Sequence, residues 1–512
     1  MREATTHDAM LKQLLKQLWG SRPSTVAPGD RFEDWFYRGN ALRAEGRFES
    51  AIEAMETAVR LNSGYAGARS NLALLLLESG RVSEAEEILR GLAAGTDDKA
   101  RDAHDNLLLT LGYRENLTPQ AYFAEHRRWA ERHADPITAS AVALARPADP
   151  ERPLNIGFVS PDFRMHPVAL FLLPLLQYHD RQRYRVHCYA TRQRDDHITA
   201  RLRGEVQAWR SIASASDEEA ARLIRNDGID VLVDLAGHTS WNRLPLFARR
   251  PAPVQVSWLG YLNTTGMQAM DARLTDAIAT PPEFDAFHSE RVVRLPSCQW
   301  CFQPLVEMPD VAPSPVRRTG RLTFGSFHNL AKVGPGVVKL WSRLLAQTPD
   351  SRLLVMAKGL ADGGQGLGAR FAAEGVAIDR VELRNAVPYR EYLAAYGDVD
   401  IVLDTFPYSG GTTTCEALWM GVPVVTWTCP TVAGRGAASL LTAAGLPDLI
   451  AASPEAYLSL AATLAADRPR LEQLRATLRA RLQTSALMDP RRFATDVESA
   501  FRDLWRTWCA GR

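Results

Sequence analysis

The sequence predicts an α/β protein with an N-terminal all-α part: a helical solenoid followed by two Rossmann-like domains in tandem. Three observations carry this. Helix–turn–helix units recur before residue 144, and a proline-rich run then changes the pattern. Beyond that run, two successive series of short apolar segments alternate with helical ones, which argues for open, largely parallel sheets. A chain of 512 residues has room for several such domains, each with its own core. With 46% hydrophobic and 23% charged residues it is ordinary globular material, neither disordered nor membrane-like. A net charge of +1 argues against a generally basic nucleic-acid binder. No apolar run approaches the roughly 18 residues of a membrane span. The start MREATTHDAMLKQ lacks a secretory layout, and six cysteines in so long a chain do not make a disulfide framework. The expectation is a reduced, cytoplasmic protein without membrane or nucleic-acid partners.

Residues 1–30 form an N-terminal lead with one amphipathic stretch, Met10 to Trp19, before the breaker SRPSTVAPGD. In residues 31–144, Gly46 and Arg47 return 34 positions later as Gly80 and Arg81, and Ala51 as Ala85. That period, with small residues where paired helices touch, is the tetratricopeptide signature. A third, degenerate segment runs through HDNLLLTLGY and YFAEHRRWAERHA. Such arrays stack into solenoids whose concave face holds extended peptides; a short one also serves as a cap on its neighbour.

Residues 153–311 read as the first α/β domain, on the acceptor side. LNIGFVS, RVHCYAT, IDVLVDLAG and VQVSWLG are its strands, and Val292 to Pro315 reads as an irregular connection. Residues 320–465 read as the second domain, with strands RLTFGSF, SRLLVMA, VELRNA, DIVLDTF and VPVVTWT, and residues 466–512 as C-terminal helices. Ligands of such sheets bind beyond the carboxyl ends of strands. The loops with His166, His238, Thr264, Lys332 and Gly410 all follow strands.

The most informative loop is Ser409, Gly410, Gly411, Thr412, Thr413, Thr414, between the strand IVL and a helix that includes Glu416. Unpaired N–H groups and the macrodipole at a helix N-terminus favour an anion, and the threonine hydroxyls add donors. Glu416, one turn on, suits the vicinal hydroxyls of a nucleotide's sugar. The plainer alternative is a capped turn with a surface glutamate. Lys332 would neutralise charge on a departing diphosphate; a solvated lysine is the competing reading. His166 and His238 are candidates to accept a proton from a hydroxyl, or are structural. Cys298 and Cys301 lack the second pair of a zinc site. Asp398 and Asp400 have the spacing of a metal-binding pair, but Asp400 better marks the start of a strand. No dinucleotide or P-loop motif is present.

Together, VSPDF with HP, DLAGHT, RPAPVQVSWLGYLNTTG, FGSFHNLAK and LDTFPYSGGTTTCEALWMGVPVVT resemble the protein O-linked N-acetylglucosamine transferases. The resemblance is strongest to the bacterial and plant SPINDLY-like branch and covers about residues 30–510. It implies a GT-B fold and an inverting, metal-independent transferase with no cofactor, its nucleotide-sugar donor (UDP-N-acetylglucosamine first) lying between the two domains. It also implies protein acceptors guided in by the repeats. By resemblance Lys332, Thr412 and Thr413 contact the diphosphate, Glu416 the ribose and Asn329 the nucleotide. His166 lies beside the sugar, His238 in the GHT loop, and Thr264, Thr265 and Gly266 face the donor. Gly410, Gly411, Thr414 and Arg435 complete the expected donor-binding set.

The departures bear on the base and sugar. Ala331 stands where animal members carry tyrosine, Tyr389 and Tyr392 where they carry lysine and histidine, and Gly411 where they carry another histidine. His328 breaks the FNN pattern. UDP-N-acetylglucosamine is therefore the leading donor, with GDP-fucose and UDP-glucose as alternatives and a catalytically inactive repeat scaffold as the non-enzymatic one. Catalysis is expected from His166, His238 and Lys332.

Overall fold

The computed structural model describes residues 29, 31–142, 144 and 147–511, so the expected helix at Met10–Trp19 lies outside the described residues. Three helix pairs come first: Phe32–Ala44 with Phe48–Leu61, Ala66–Glu78 with Val82–Ala93, and Asp98–Leu111 with Pro119–His133. The two repeat glycines close their turns at φ of 75° (Gly46) and 82° (Gly80), a region that side-chain-bearing residues enter only with strain. Ala51, Ala54, Ala58 and Ala85 are buried where the helices meet, as small residues must be for close axial approach.

Two parallel sheets follow. The first runs β1 (Leu154–Ser160), β2 (Tyr184–Ala190), β3 (Ala208–Ser211), β4 (Val231–Asp234), β5 (Val254–Ser257), β6 (Ala272–Asp276) and β7 (Arg291–Leu295). Its spatial order is β3-β2-β1-β4-β5-β6-β7. The second holds β8 (Leu322–Ser326), β9 (Ser351–Ala357), β10 (Val381–Asn385), β11 (Ile401–Leu403), β12 (Val424–Trp427) and β13 (Ile450–Ala451), in the order β10-β9-β8-β11-β12-β13. Strands β1, β4, β8 and β11 are wholly or almost wholly buried, because helices cover both faces of each sheet.

In each sheet the order reverses between the first strand and the fourth: at β1/β4 and at β8/β11. A crevice opens at the carboxyl ends of such a pair, where the connections leave to opposite faces. His166 follows β1, His238 follows β4, Lys332 follows β8 and Gly410 follows β11. All four thus stand at the two switch points.

Several segments differ from the sequence reading. Arg291–Leu295 is a strand inside the stretch expected to be irregular. The C-terminal residues form helices that pack on both α/β domains. The helix Arg468–Gln483 is tied to the second domain, Arg475 donating to the carbonyls of Val399 and Tyr396. The helix Pro490–Ala510 instead returns to the first: Trp505 Nε1 donates to Asp149 O at 2.9 Å, and Tyr184 Oη donates to Glu498 O at 3.1 Å.

The repeats dock on both α/β domains. On the first, Tyr122 Oη lies 3.1 Å from Tyr261 Oη, and His126 Nε2 lies 2.8 Å from the same oxygen. On the second, Glu115 accepts the N–H of Gly336 at 2.8 Å, and Asp362 accepts that of Ser50 at 3.1 Å. The array is a strut across the two domains.

Candidate functional site

The strand β11 ends at Leu403, and the chain turns through Asp404 to Gly411 before the helix Thr412–Trp419 begins. Asp404, 1% exposed, shapes that turn. One of its oxygens accepts the Gly410 N–H at 2.7 Å and the other the Thr426 hydroxyl at 2.6 Å. With the turn so held, the hydroxyls of Thr412, Thr413 and Thr414 are buried and none has a hydrogen-bond partner. Buried polar groups are almost always paired. Three orphaned hydroxyls on the first turn of one helix therefore mark a place built for a ligand with several acceptor oxygens, such as a phosphate. Gly410 must be glycine here: a Cβ would stand 2.6 Å from Thr414 Oγ1 and 3.0 Å from Thr413 Oγ1. Gly411 faces open space, with nothing within 4 Å of the same position.

Lys332 closes the site from the β8 side. Its ammonium donates to Ser409 O at 2.7 Å and lies 4.6 Å from the centroid of the Tyr408 ring. On that ring Tyr113, from the repeats, stacks at 5.0 Å and 19°. Burial lowers the lysine pKa to about 8, against the pull of Asp404. Among the described residues no carboxylate salt-bridges the ammonium, so its charge is available to an incoming anion.

Glu416 is buried one turn further on. Tyr389 Oη donates to one carboxylate oxygen at 2.7 Å and Tyr392 Oη to the other at 2.9 Å. Burial raises this carboxyl to about 7, while the two tyrosine hydroxyls hold it down. The two residues that replace the animal lysine and histidine are thus wired to the expected ribose-binding group. Asn329 caps the next turn, accepting the Ala331 N–H at 3.2 Å, and its side chain is exposed. Arg435 spans the domains, its Nε donating to Ile278 O at 2.7 Å.

The first-domain residues divide. His166 caps the helix Pro167–Tyr178: its Nδ1 accepts the Val168 N–H at 3.3 Å, and its ring is 32% exposed. A neutral ring accepting at Nδ1 carries its hydrogen on Nε2, so His166 offers an N–H donor at the β1 end. Burial lowers its pKa, which keeps that neutral form. His238 is fully buried. Its Nδ1 lies 2.7 Å from Asp105 Oδ1 of the repeats and its Nε2 lies 2.9 Å from Thr265 O. Both ring nitrogens face groups of the protein itself, so His238 ties the repeats to the loop after β5, and this geometry gives no separate support to its expected role as a proton acceptor.

Thr264 and Thr265 are tied within the first domain. Both hydroxyls donate to the carboxylate of Glu290, which also accepts the Thr265 N–H at 2.6 Å. Gly266 packs against the carbonyl of His126 in the repeats. Glu290, Asp404 and Tyr408 were not singled out from sequence, because each matters through a partner distant along the chain. Asp400 is consumed structurally, accepting the Thr323 N–H at 2.9 Å and the Ser314 hydroxyl.

Comparison with known proteins agrees with this geometry. A model described as glycosyl transferase family 41 matches residues 139–302 and 319–497, and a tetratricopeptide repeat model matches 42–105. The chain is 40% identical over 422 residues to a protein of Oryza sativa subsp. japonica named probable UDP-N-acetylglucosamine–peptide N-acetylglucosaminyltransferase SPINDLY. That alignment takes in 81% of this chain and 45% of the rice protein. The Arabidopsis thaliana protein of the same name is 39% identical over 424 residues, with 81% and 46% covered. The chain therefore spans about half the length of these plant relatives. A mutant O-GlcNAc transferase of Thermobaculum terrenum superposes with a TM-score of 0.90 at 38% identity, covering 100% of this chain and 99% of that one. The family model takes in well over half of the sequence, and the chain belongs to glycosyl transferase family 41.

Proposed function

We propose that the protein is an inverting glycosyltransferase that moves a sugar, N-acetylglucosamine from UDP-N-acetylglucosamine in the leading reading, to serine or threonine hydroxyls of proteins. The observation that carries this is the set of three unpartnered threonine hydroxyls at the helix start, faced by the Lys332 ammonium. The names of the relatives supply the sugar and the peptide acceptor.

The bond from the anomeric carbon to the diphosphate oxygen breaks as the acceptor oxygen attacks from the opposite side, and the acceptor's proton passes to solvent. Negative charge grows on the leaving diphosphate. Lys332, the N-terminal peptide groups of Thr412–Trp419 and the threonine hydroxyls meet it without rearranging, which is where preorganised electrostatics contribute most. Glu416 accepts from the ribose hydroxyls, and His166 donates its Nε2–H to the sugar. Neither histidine is arranged as a base, so leaving-group stabilisation carries the larger share of the rate. The repeats guide the polypeptide acceptor to the mouth of the site.

A second reading is favoured by Tyr389 and Tyr392. They occupy the positions where the animal enzymes, by resemblance, hold uridine, so GDP-fucose and UDP-glucose remain alternative donors. Intact-protein mass spectrometry of acceptor proteins incubated with each of the three donors, in the presence of a chelator, decides among them. A gain of one sugar residue with UDP-N-acetylglucosamine supports the leading reading. A gain only with another donor replaces it, and no gain with any donor moves the chain to an inactive scaffold.

A further inference from the structure

His328 takes the place where the resembling transferases carry asparagine, in the loop after β8. It is 2% exposed. Its Nδ1 lies 3.0 Å from Ser326 Oγ, while Nε2 has no hydrogen-bond partner. Nε2 stands 3.3 Å from Asp404 Oδ1, without hydrogen-bond alignment. A ring nitrogen that close to a carboxylate oxygen carries a hydrogen rather than a lone pair, so the Ser326 hydroxyl donates to Nδ1 and Nε2 is an N–H. Burial, with a smaller push from Lys332, favours the neutral ring against the hydrogen-bonding and charge pull of Asp404.

That unfilled donor is not isolated. A Cβ on Gly410 would stand 2.8 Å from Nε2, 2.6 Å from Thr414 Oγ1 and 3.0 Å from Thr413 Oγ1. Three partnerless polar atoms from two loops, one after β8 and one after β11, therefore surround one glycine. Convergent buried donors of this kind fit a group presenting several acceptor oxygens. We propose that His328 Nε2–H is a donor to the diphosphate of the nucleotide sugar, acting with Thr413 and Thr414 across Gly410. The inference rests on the donor reading above and adds to it a binding residue at a position where this chain departs from the FNN pattern.

The test uses the full chain with UDP and GDP as probes, titrated without metal into the wild-type protein, His328→Phe and His328→Gln. Phenylalanine keeps the ring and removes the donor, whereas glutamine keeps an N–H. For whichever diphosphate the wild type binds, His328→Phe lowers affinity by about ten- to a hundredfold, the range for a lost hydrogen bond to a charged group. His328→Gln recovers part of that loss, and the unfolding temperature of the unliganded variants stays at or above the wild-type value. Affinity within about twofold of wild type in His328→Phe overturns the proposal while the donor reading stands, since a real contact to a charged group is worth more than that. A loss that glutamine does not relieve also overturns it. Failure of the wild type to bind either diphosphate overturns the donor reading itself.

Discussion

Replacing Lys332 by methionine separates what the lysine does for the reaction from what it costs the fold. Burial brings its pKa from 10.5 to about 8. The difference is 10.5 − 8, or about 2.5 units, and each unit corresponds to about 1.4 kcal/mol. At pH 7 the folded protein therefore carries its charged lysine at a penalty of about 3 kcal/mol relative to a neutral side chain. Methionine fills similar space without charge, so Lys332→Met is more stable at pH 7 by up to about 3 kcal/mol. The sign with pH follows from proton counting. Between the folded and unfolded pKa values the unfolded chain holds more protons, so wild-type stability rises with pH there. The advantage of the variant is full below about pH 8, where the folded lysine is charged, and fades as pH approaches 10.5. Transfer, by contrast, falls by at least about 10²–10³, the loss typical of one preorganised donor at a developing charge. Denaturant unfolding at pH 7 and pH 10, with donor turnover measured on the same preparations, reads both effects. A variant that is less stable than wild type at pH 7, or one that retains turnover, refutes the reasoning.

Donor affinity should also be bounded by two titrations. The Glu416 carboxyl, raised to about 7, loses its charge as pH falls, and Lys332 loses its own as pH rises through about 8. Binding titrations across pH then peak between those values, and Tyr389→Phe with Tyr392→Phe moves the acid limb to higher pH by removing the hydrogen bonds that hold Glu416 down. The two glycines should behave oppositely: Gly410→Ala drives a methyl into Thr414 Oγ1 and His328 Nε2 and abolishes donor binding, while Gly411→Ala, with nothing within 4 Å, leaves it nearly unchanged. His238→Ala removes the hydrogen-bond partner of the buried Asp105 Oδ1 and destabilises the fold by about 1–3 kcal/mol. Its turnover per folded molecule falls far less than in Lys332→Met, and a comparable collapse of turnover in folded protein would restore His238 to the chemistry.

The loop from Ser409 to Thr414 could be singled out from sequence as a candidate because its chemistry is local: glycines, hydroxyls and a helix start lie within a few residues of one another. Strands such as β1 and β4 were legible because both faces are buried and their sequences are mostly apolar. Strands β3 and β6 were not. β3 is an edge strand of half-exposed AWRS. β6 buries Arg273, Thr275 and Asp276, which survive there through distant partners: Arg273 donates to Asn263 O at 2.6 Å, and Asp276 accepts the Ser439 hydroxyl at 2.6 Å. No alternation reveals a strand whose polar residues are satisfied by other segments. The same limit separated the histidines. His166 and His238 look alike as loop residues after strands, and only the approach of Asp105, 133 residues earlier in the chain, shows that His238 is committed.

The central claim is that the loop from Ser409 to Thr414, with Lys332, is a nucleoside-diphosphate site that needs no metal. Calorimetric titration of the intact protein with UDP and with GDP, in the presence of a chelator, tests it most directly. One of the two binds saturably at a single site, and that binding is lost in Lys332→Met. Absence of binding by both, in protein that is folded, would contradict it.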